Sequence, residues 1–161
     1  MEQKKFTKIN SHNEWDKIKE IIVGTATGTR ATLTWNKKNK ITEKNIELAK
    51  KLTEEASPKW LYDEVEEDLD GLANTLKKLG ATVHRPESFK LSEVYSSPHW
   101  NSTSNNIYNT RDLNLVVGNS IIESPSYLIS RYYESAALYP ILYKYFQNGF
   151  KWIAGPKPLL N

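Results

Sequence analysis

Arg111-Asp112 stands where a long polar stretch gives way to an apolar run, and it is the strongest chemical candidate in the chain. A carboxylate fixed at the mouth of a strand can accept two parallel hydrogen bonds from a planar guanidinium, a geometry that selects arginine-like groups over point cations. The alternative, and the more frequent role of such a residue, is a surface aspartate that pairs with Arg111 or caps a loop. Other chemistries are excluded more sharply. The 161 residues contain no cysteine, which removes disulfides, thiolate metal sites and a cysteine nucleophile within the chain. His12, His84 and His99 share no metal-ligand spacing, so neither a metal nor another cofactor is expected. Gly24 and Gly28 follow a strand-like run but form neither a dinucleotide fingerprint nor a phosphate loop with its lysine. Asn101-Ser102-Thr103 matches a glycosylation acceptor, which reads as accidental because MEQKKFTKIN has no apolar signal core.

The elements that must position Asp112 can be read in part. Ile18 to Gly24 is a β-branched run closed by glycine and predicts a strand. Val65, Leu69, Leu72, Leu76 and Leu79 recur at helical spacing, with Glu66, Glu67, Asp68 and Asp70 early and Lys77 and Lys78 late. This order suits a helix dipole, and Gly80 is placed just past the end. Ala81 to Arg85 predicts a short strand running into Pro86, and Glu43–Glu55 a short helix within the otherwise unassigned residues 32–57. Residues 87–111 read as a long irregular polar stretch, of the kind that is usually functional or mobile. Leu113 to Val117 and Ser120 to Glu123, joined by Gly118-Asn119, predict a β-hairpin. Tyr127–Phe146 predicts a helix broken or kinked at Pro140 and ending at Asn148-Gly149, before a last strand over Phe150 to Ala154.

Gly80 and Gly149 each close a helix that is followed by a short strand and a proline. They lie about 70 residues apart, a repeated strand–helix–strand layout whose modules bury their apolar faces best against neighbours. Tyr132, Tyr133, Tyr139, Tyr143, Tyr145 and Trp152 recur at helical spacing, which favours core packing over a platform for bases or sugars. Hydrophobic residues make up 39% of the chain and charged residues 25%, an ordinary globular profile that suits one compact unit over residues 1–161 with a core. Lys+Arg 22 against Asp+Glu 19 leaves +3 without a clustered basic patch, so nucleic acid is not an expected partner. No apolar run reaches the ~18 residues of a membrane span, and the chain reads as soluble and cytoplasmic.

Four blocks carry a family resemblance that none of these arguments supplies. They are Asn13-Glu14-Trp15-Asp16-x-Ile18-Lys19-Glu20-Ile21-Ile22-Val23-Gly24, then Arg111-Asp112-x-x-x-Val116-Val117-Gly118-Asn119-x-Ile121-Ile122-Glu123-x-Pro125, then Arg131-Tyr132-Tyr133-Glu134, and Lys151-Trp152-x-x-x-Pro156-Lys157-Pro158. In order and across nearly the whole chain, they resemble the N-terminal part of glycine amidinotransferases, a group that extends to inosamine-phosphate amidinotransferases and, more distantly, to arginine deiminases. The resemblance implies an α/β pentein fold, a five-module pseudo-symmetric propeller of which this chain would form about two modules. It implies an amidino transfer from L-arginine to an amine such as glycine through a cysteine-amidino intermediate. Asp112 falls on the family's arginine-binding aspartate. Ser126 falls in the active-site region where the vertebrate glycine enzymes have a methionine, which leaves the acceptor amine open. The family's cysteine, its catalytic histidine and the aspartate paired with that histidine fall beyond Asn161, so no catalytic residue is expected in this chain and by itself it is expected to be inactive. The implied partners are L-arginine, an amine acceptor, and a C-terminal portion or a homodimer partner. A guanidine-hydrolysing relative and a non-catalytic guanidinium-binding or interaction module are the competing readings.

Overall fold

The computed structural model describes residues 9–26, 34–36, 47, 51, 58–86, 94–103 and 107–160. The expected helix Glu43–Glu55 lies outside these, apart from Glu47 and Lys51, which are helical. The first unit is β1 (Glu20–Ile22), α1 (Lys59–Lys78) and β3 (Thr82–His84), with β1 and β3 paired in parallel. Bonds from Thr82 N–H to the Lys19 carbonyl (2.8 Å) and from Val23 N–H to the His84 carbonyl (3.0 Å) extend the pairing at both ends. Parallel pairing requires a crossover, and α1 supplies it.

Helix α1 starts at Lys59, well before the periodic leucines, because Pro58 stands in an extended conformation at its N-cap and cannot lie inside a helix. The acidic cluster therefore falls in mid-helix and not at its N-terminus, which corrects the dipole expectation at that end; Lys77 and Lys78 do occupy the last turn. Glu66 instead points inward. It accepts from Ala26 N–H (2.5 Å) and the Thr25 hydroxyl (2.8 Å) and pairs with Arg85, which ties the exit of β1 to the helix. Ala73 is the fully buried residue of α1, whereas Leu72 and Leu79 are exposed.

The second sheet has no counterpart among the elements that the sequence pattern predicts. β2 (Thr34–Asn36), β4 (Val94–Ser96) and β5 (Trp100–Thr103) form an antiparallel sheet in the order β2-β5-β4. Two of its strands lie within the stretch expected to be irregular. The Ser97 hydroxyl accepts from His99 N–H and Trp100 N–H (both 3.1 Å) and so closes the β4–β5 turn.

The second unit contains the expected hairpin, β6 (Asn114–Val117) with β7 (Ser120–Glu123), turning through Gly118 at φ +56. β7 then pairs in parallel with β8 (Lys151–Ala154) across α2 (Tyr139–Gln147). The stretch before α2 is two 3-10 helices, Ile129–Arg131 and Glu134–Leu138. Pro140 does not kink a longer helix; it sits in the first turn of α2, where its missing N–H costs nothing. Both units end their helices alike. Gly80 at φ +90 and Gly149 at φ +88 donate to the carbonyls of Lys77 and Phe146, and Ala81 and Phe150 donate to those of Leu76 and Tyr145, the paired bonds of a Schellman motif.

Opposite signs are expected for two glycines of the first unit. Gly80→Ala forces a side chain into left-handed backbone and costs about 1 kcal/mol, or about 2–4 °C in Tm. Gly71→Ala, in mid-helix with open space around it, stabilises by about 0.5–1 kcal/mol. Thermal melts followed by circular dichroism check both.

The core gathers Ile121, Leu138, Ile141, Leu142, Tyr145 and Phe150, and Ile22 of β1 packs against it, so the two units share one interior. Tyr145 joins them directly, donating to Glu20 Oε2 (2.5 Å), which also meets His84 Nε2 at 2.9 Å. Tyr139 meets Trp152 of β8 edge-on and Tyr145 is buried, so these serve packing, whereas Tyr143 of α2 is exposed and Tyr132, Tyr133 and Trp152 lie outside the helix that their spacing suggests. Burial, and then the Glu20 carboxylate, push the Tyr145 hydroxyl well above its ordinary pKa of 10. The unfolded chain ionises this tyrosine first, so its contribution to stability is complete below pH 10 and declines as the pH rises beyond it. Urea midpoints measured across that range are expected to fall more steeply for the native chain than for Tyr145→Phe.

Candidate functional site

Asp112 lies on a short 3-10 helix, Thr110–Asp112, which leads into β6. Four bonds fix this turn in place. Thr25 N–H donates to the Ile107 carbonyl (3.3 Å), and the Thr110 hydroxyl to that of Ile22 (3.2 Å). Asn114 Nδ2 donates to the Thr110 carbonyl (3.2 Å), and Asp112 N–H to that of Asn109 (3.2 Å). Ile107 and Leu113, on either side of the turn, are fully buried, so the two ends are held while the middle projects. The segment that follows β1 approaches so closely because residue 24 is glycine: a Cβ there would stand 2.2 Å from the Ile107 carbonyl oxygen.

Arg111 and Asp112 part company. Arg111 pairs with Glu14, and both side chains are largely exposed, so this bond contributes little. Asp112, half exposed, accepts from Arg131 Nη1 at 2.7 Å. Arg131 in turn grips Glu134 with one edge of its fork, Nε to Oε2 at 2.5 Å and Nη2 to Oε1 at 3.0 Å, and Nη2 also reaches the Asn109 carbonyl at 3.5 Å. The Arg131 side chain is 17% exposed and that of Glu134 2%. Burial raises the Glu134 pKa and Arg131 opposes that rise; the Glu134 hydrogen bond holds Arg131 protonated far above any working pH. With all three ionised, the cluster carries one net negative charge. Asp112 keeps Oδ1 and further lone-pair positions for another donor.

Ser126 is half-buried and its hydroxyl accepts from Leu128 N–H at 3.0 Å, shaping the turn that leads to Arg131. No hydrogen bond among the described residues joins it to Asp112; the two expected site residues lie on the two segments that Arg131 connects.

Arg131-Tyr132-Tyr133-Glu134 is one of the blocks that carry the resemblance, but nothing in the sequence assigns Arg131 or Glu134 a role at the site. The contact to Asp112 spans 19 residues and has no sequence signal. A second buried carboxylate, Glu123, accepts from the hydroxyls of Ser135 (2.6 Å) and Tyr139 (3.1 Å), with Lys157 Nζ at 3.6 Å. Lys157 donates to the Tyr132 carbonyl (2.7 Å) and lies over the Tyr132 ring, which pins the segment after β8 against the segment that carries Arg131. Tyr132 and Tyr133 pack on the buried Trp100 of β5 and on each other. Among the described residues no three metal-ligating side chains come together, and no helix is long and apolar enough to cross a membrane.

No protein-family model matches the chain. Individual proteins do. It is 38% identical over 154 residues to inosamine-phosphate amidinotransferase 1 of Streptomyces griseus, covering 95% of this chain and 44% of that protein. It is 37% identical to the L-arginine:L-lysine amidinotransferase of Pseudomonas savastanoi pv. phaseolicola, covering 94% and 42%. It is 36% identical to the mitochondrial glycine amidinotransferase of Gallus gallus, covering 93% and 36%. Among solved structures, the Streptomyces griseus inosamine-phosphate amidinotransferase superposes with a TM-score of 0.77 at 35% identity, covering 95% of this chain and 44% of that one. An amidinotransferase of the saxitoxin biosynthetic pathway from Microseira wollei superposes with a TM-score of 0.78 at 31% identity, covering 96% and 45%. The homologues of this α/β chain are amidinotransferases, and the chain corresponds to an N-terminal segment spanning less than half of their length.

Proposed function

We propose that this homologue of the amidinotransferases forms the N-terminal, guanidinium-holding part of an enzyme that moves the amidino group of L-arginine to an amine. The observation that carries the reading is Asp112: half exposed, fixed on a turn braced at both ends, and part of a cluster in which two carboxylates share one guanidinium. That is the charge and the acceptor geometry a planar cation needs. The chain contains no cysteine, so the nucleophile belongs to the part of the enzyme outside it. The thiolate would attack the guanidinium carbon, the C–N bond to the ornithine side chain would break with a proton passing to the departing amine, and the acceptor amine, giving up a proton as it adds, would then displace the thiolate. Ser126 is assigned to the acceptor side. It lies on the segment that Arg131 ties to Asp112, and its hydroxyl proton is free to donate.

The two strand–helix–strand units, whose helices end in matching Schellman motifs, support a modular propeller of which this chain forms about two of five modules within one domain. The complete enzyme is then this chain together with the part of the relatives' length that it does not span, supplied by a continuation or by a partner chain, and we place it in the cytoplasm.

The test is product analysis. With L-arginine and a panel of glycine, L-lysine and an inosamine phosphate, the complete enzyme is expected to yield ornithine and one new guanidino compound. Citrulline formed without dependence on any amine would mean a guanidine-hydrolysing enzyme instead, and arginine left unchanged would mean a non-catalytic binding module.

A further inference from the structure

We infer that Arg131, held by the buried Glu134, is the positioning residue that aims Asp112 at the substrate guanidinium. The inference rests on the guanidinium-binding role proposed for Asp112. Four observations lead to it. Glu134 is almost completely buried, and both its oxygens are spent on one edge of the Arg131 fork. With that edge fixed, guanidinium planarity dictates where Nη1 points, and it points at Asp112 Oδ2, 2.7 Å away. The Asp112 side chain is half exposed, and this bond removes the rotamer freedom that such a residue otherwise keeps. Finally, two carboxylates share one guanidinium, so with both ionised the bond orients Asp112 without cancelling the negative charge that attracts a cationic ligand.

Burying a salt bridge is a poor route to stability, because the loss of hydration is as large as the attraction gained. A buried Glu134 whose partner passes its remaining donor to a half-exposed aspartate makes better sense as orientation. Lysine could not replace Arg131, since a single ammonium cannot hold both Glu134 oxygens and also present a coplanar donor to Asp112. The opposite possibility, that Arg131 occupies Asp112 as an internal competitor of the substrate, predicts the opposite sign for its removal.

The experiment is calorimetric titration of L-arginine into the complete enzyme, as native protein and as Arg131→Lys, Arg131→Met, Glu134→Gln, Asp112→Asn and the Asp112→Asn/Arg131→Met double variant, with the melting temperature of each. Arg131→Met is expected to weaken arginine binding about tenfold or more, with Arg131→Lys failing to rescue it. In the Asp112→Asn background the same change is expected to have no further effect, because there is no longer a carboxylate to aim. A merely structural role would give additive losses in the double variant and overturn the inference, as would unchanged or tighter binding by Arg131→Met. Should Arg131→Met fail to fold, Glu134→Gln carries the same expectation in weaker form, and native affinity there overturns the inference equally. Native arginine affinity in Asp112→Asn is a different result: it removes the guanidinium role proposed for Asp112 itself, and the positioning role with it.

Discussion

Asp112→Asn is expected to weaken L-arginine binding to the complete enzyme by about 100-fold or more while leaving the fold intact. The substitution keeps the shape of the side chain and one carbonyl oxygen but removes the charge and one of the two acceptors. Removing one member of a close, hydrogen-bonded charge pair typically costs about 2–5 kcal/mol, of which 100-fold is the lower-middle part. In the folded protein Asp112 is half exposed, and its ionic partner among the described residues, Arg131, retains both bonds to Glu134. The stability change is therefore expected to stay below about 1 kcal/mol. A calorimetric Kd and a urea melt of the same preparation separate the two effects. A large loss of both would mean that Asp112 serves the fold, and a loss of neither would mean that it is an ordinary surface residue.

The second large effect is expected at a residue with no functional group. Gly24→Ala would place a Cβ 2.2 Å from the Ile107 oxygen, 2.4 Å from Tyr108 Cα and 2.5 Å from the Tyr108 oxygen. All three atoms are backbone, so no side chain can swing aside. The flanking Val23, Thr25 and Ala26 are buried, which leaves β1 no direction in which to retreat. The segments must separate, and Thr25 N–H to Ile107 and the Thr110 hydroxyl to Ile22, the bonds that brace the Asp112 turn, go with them. We expect a loss of about 3 kcal/mol or more in urea unfolding, well beyond that of Gly80→Ala. Whatever folded protein remains is expected to bind arginine more weakly, since the turn is displaced together with its anchor. A stability within about 1 kcal/mol of native would show that the approach of β1 to residues 107–108 is looser than the structure has it.

The parts of this molecule that sequence reveals are those in which local chemistry and tertiary role coincide. The hairpin of β6 and β7 is legible because Gly118-Asn119 is needed by the turn itself, and Gly80 and Gly149 because left-handed backbone at a helix end asks for glycine wherever the helix packs. β4 and β5 are not legible, because Ser96, Asn101 and Ser102 show no alternation of apolar and polar residues; what holds that sheet is strand pairing and the burial of Trp100. The start of α1 is misplaced by the leucine pattern, since Pro58 decides it and the inward-facing Glu66 looks like a solvent-side acid. At the site, the resemblance points to Asp112 and Ser126, and the residues alone point to Asp112. Neither indicates that Asp112 turns from its neighbour Arg111 to Arg131, because that choice is made by the buried Glu134 and by a backbone path that no spacing rule encodes.

The most direct test of the guanidinium role is a comparison of L-arginine with L-citrulline, which has nearly the same shape but replaces the cationic guanidinium by a neutral urea. Calorimetric titration of both into the complete enzyme is expected to show arginine binding at least about 100-fold more tightly, with most of that preference lost in Asp112→Asn. Equal affinities for the two ligands, or a preference that survives Asp112→Asn, would contradict the assignment of Asp112 as the carboxylate that holds the substrate.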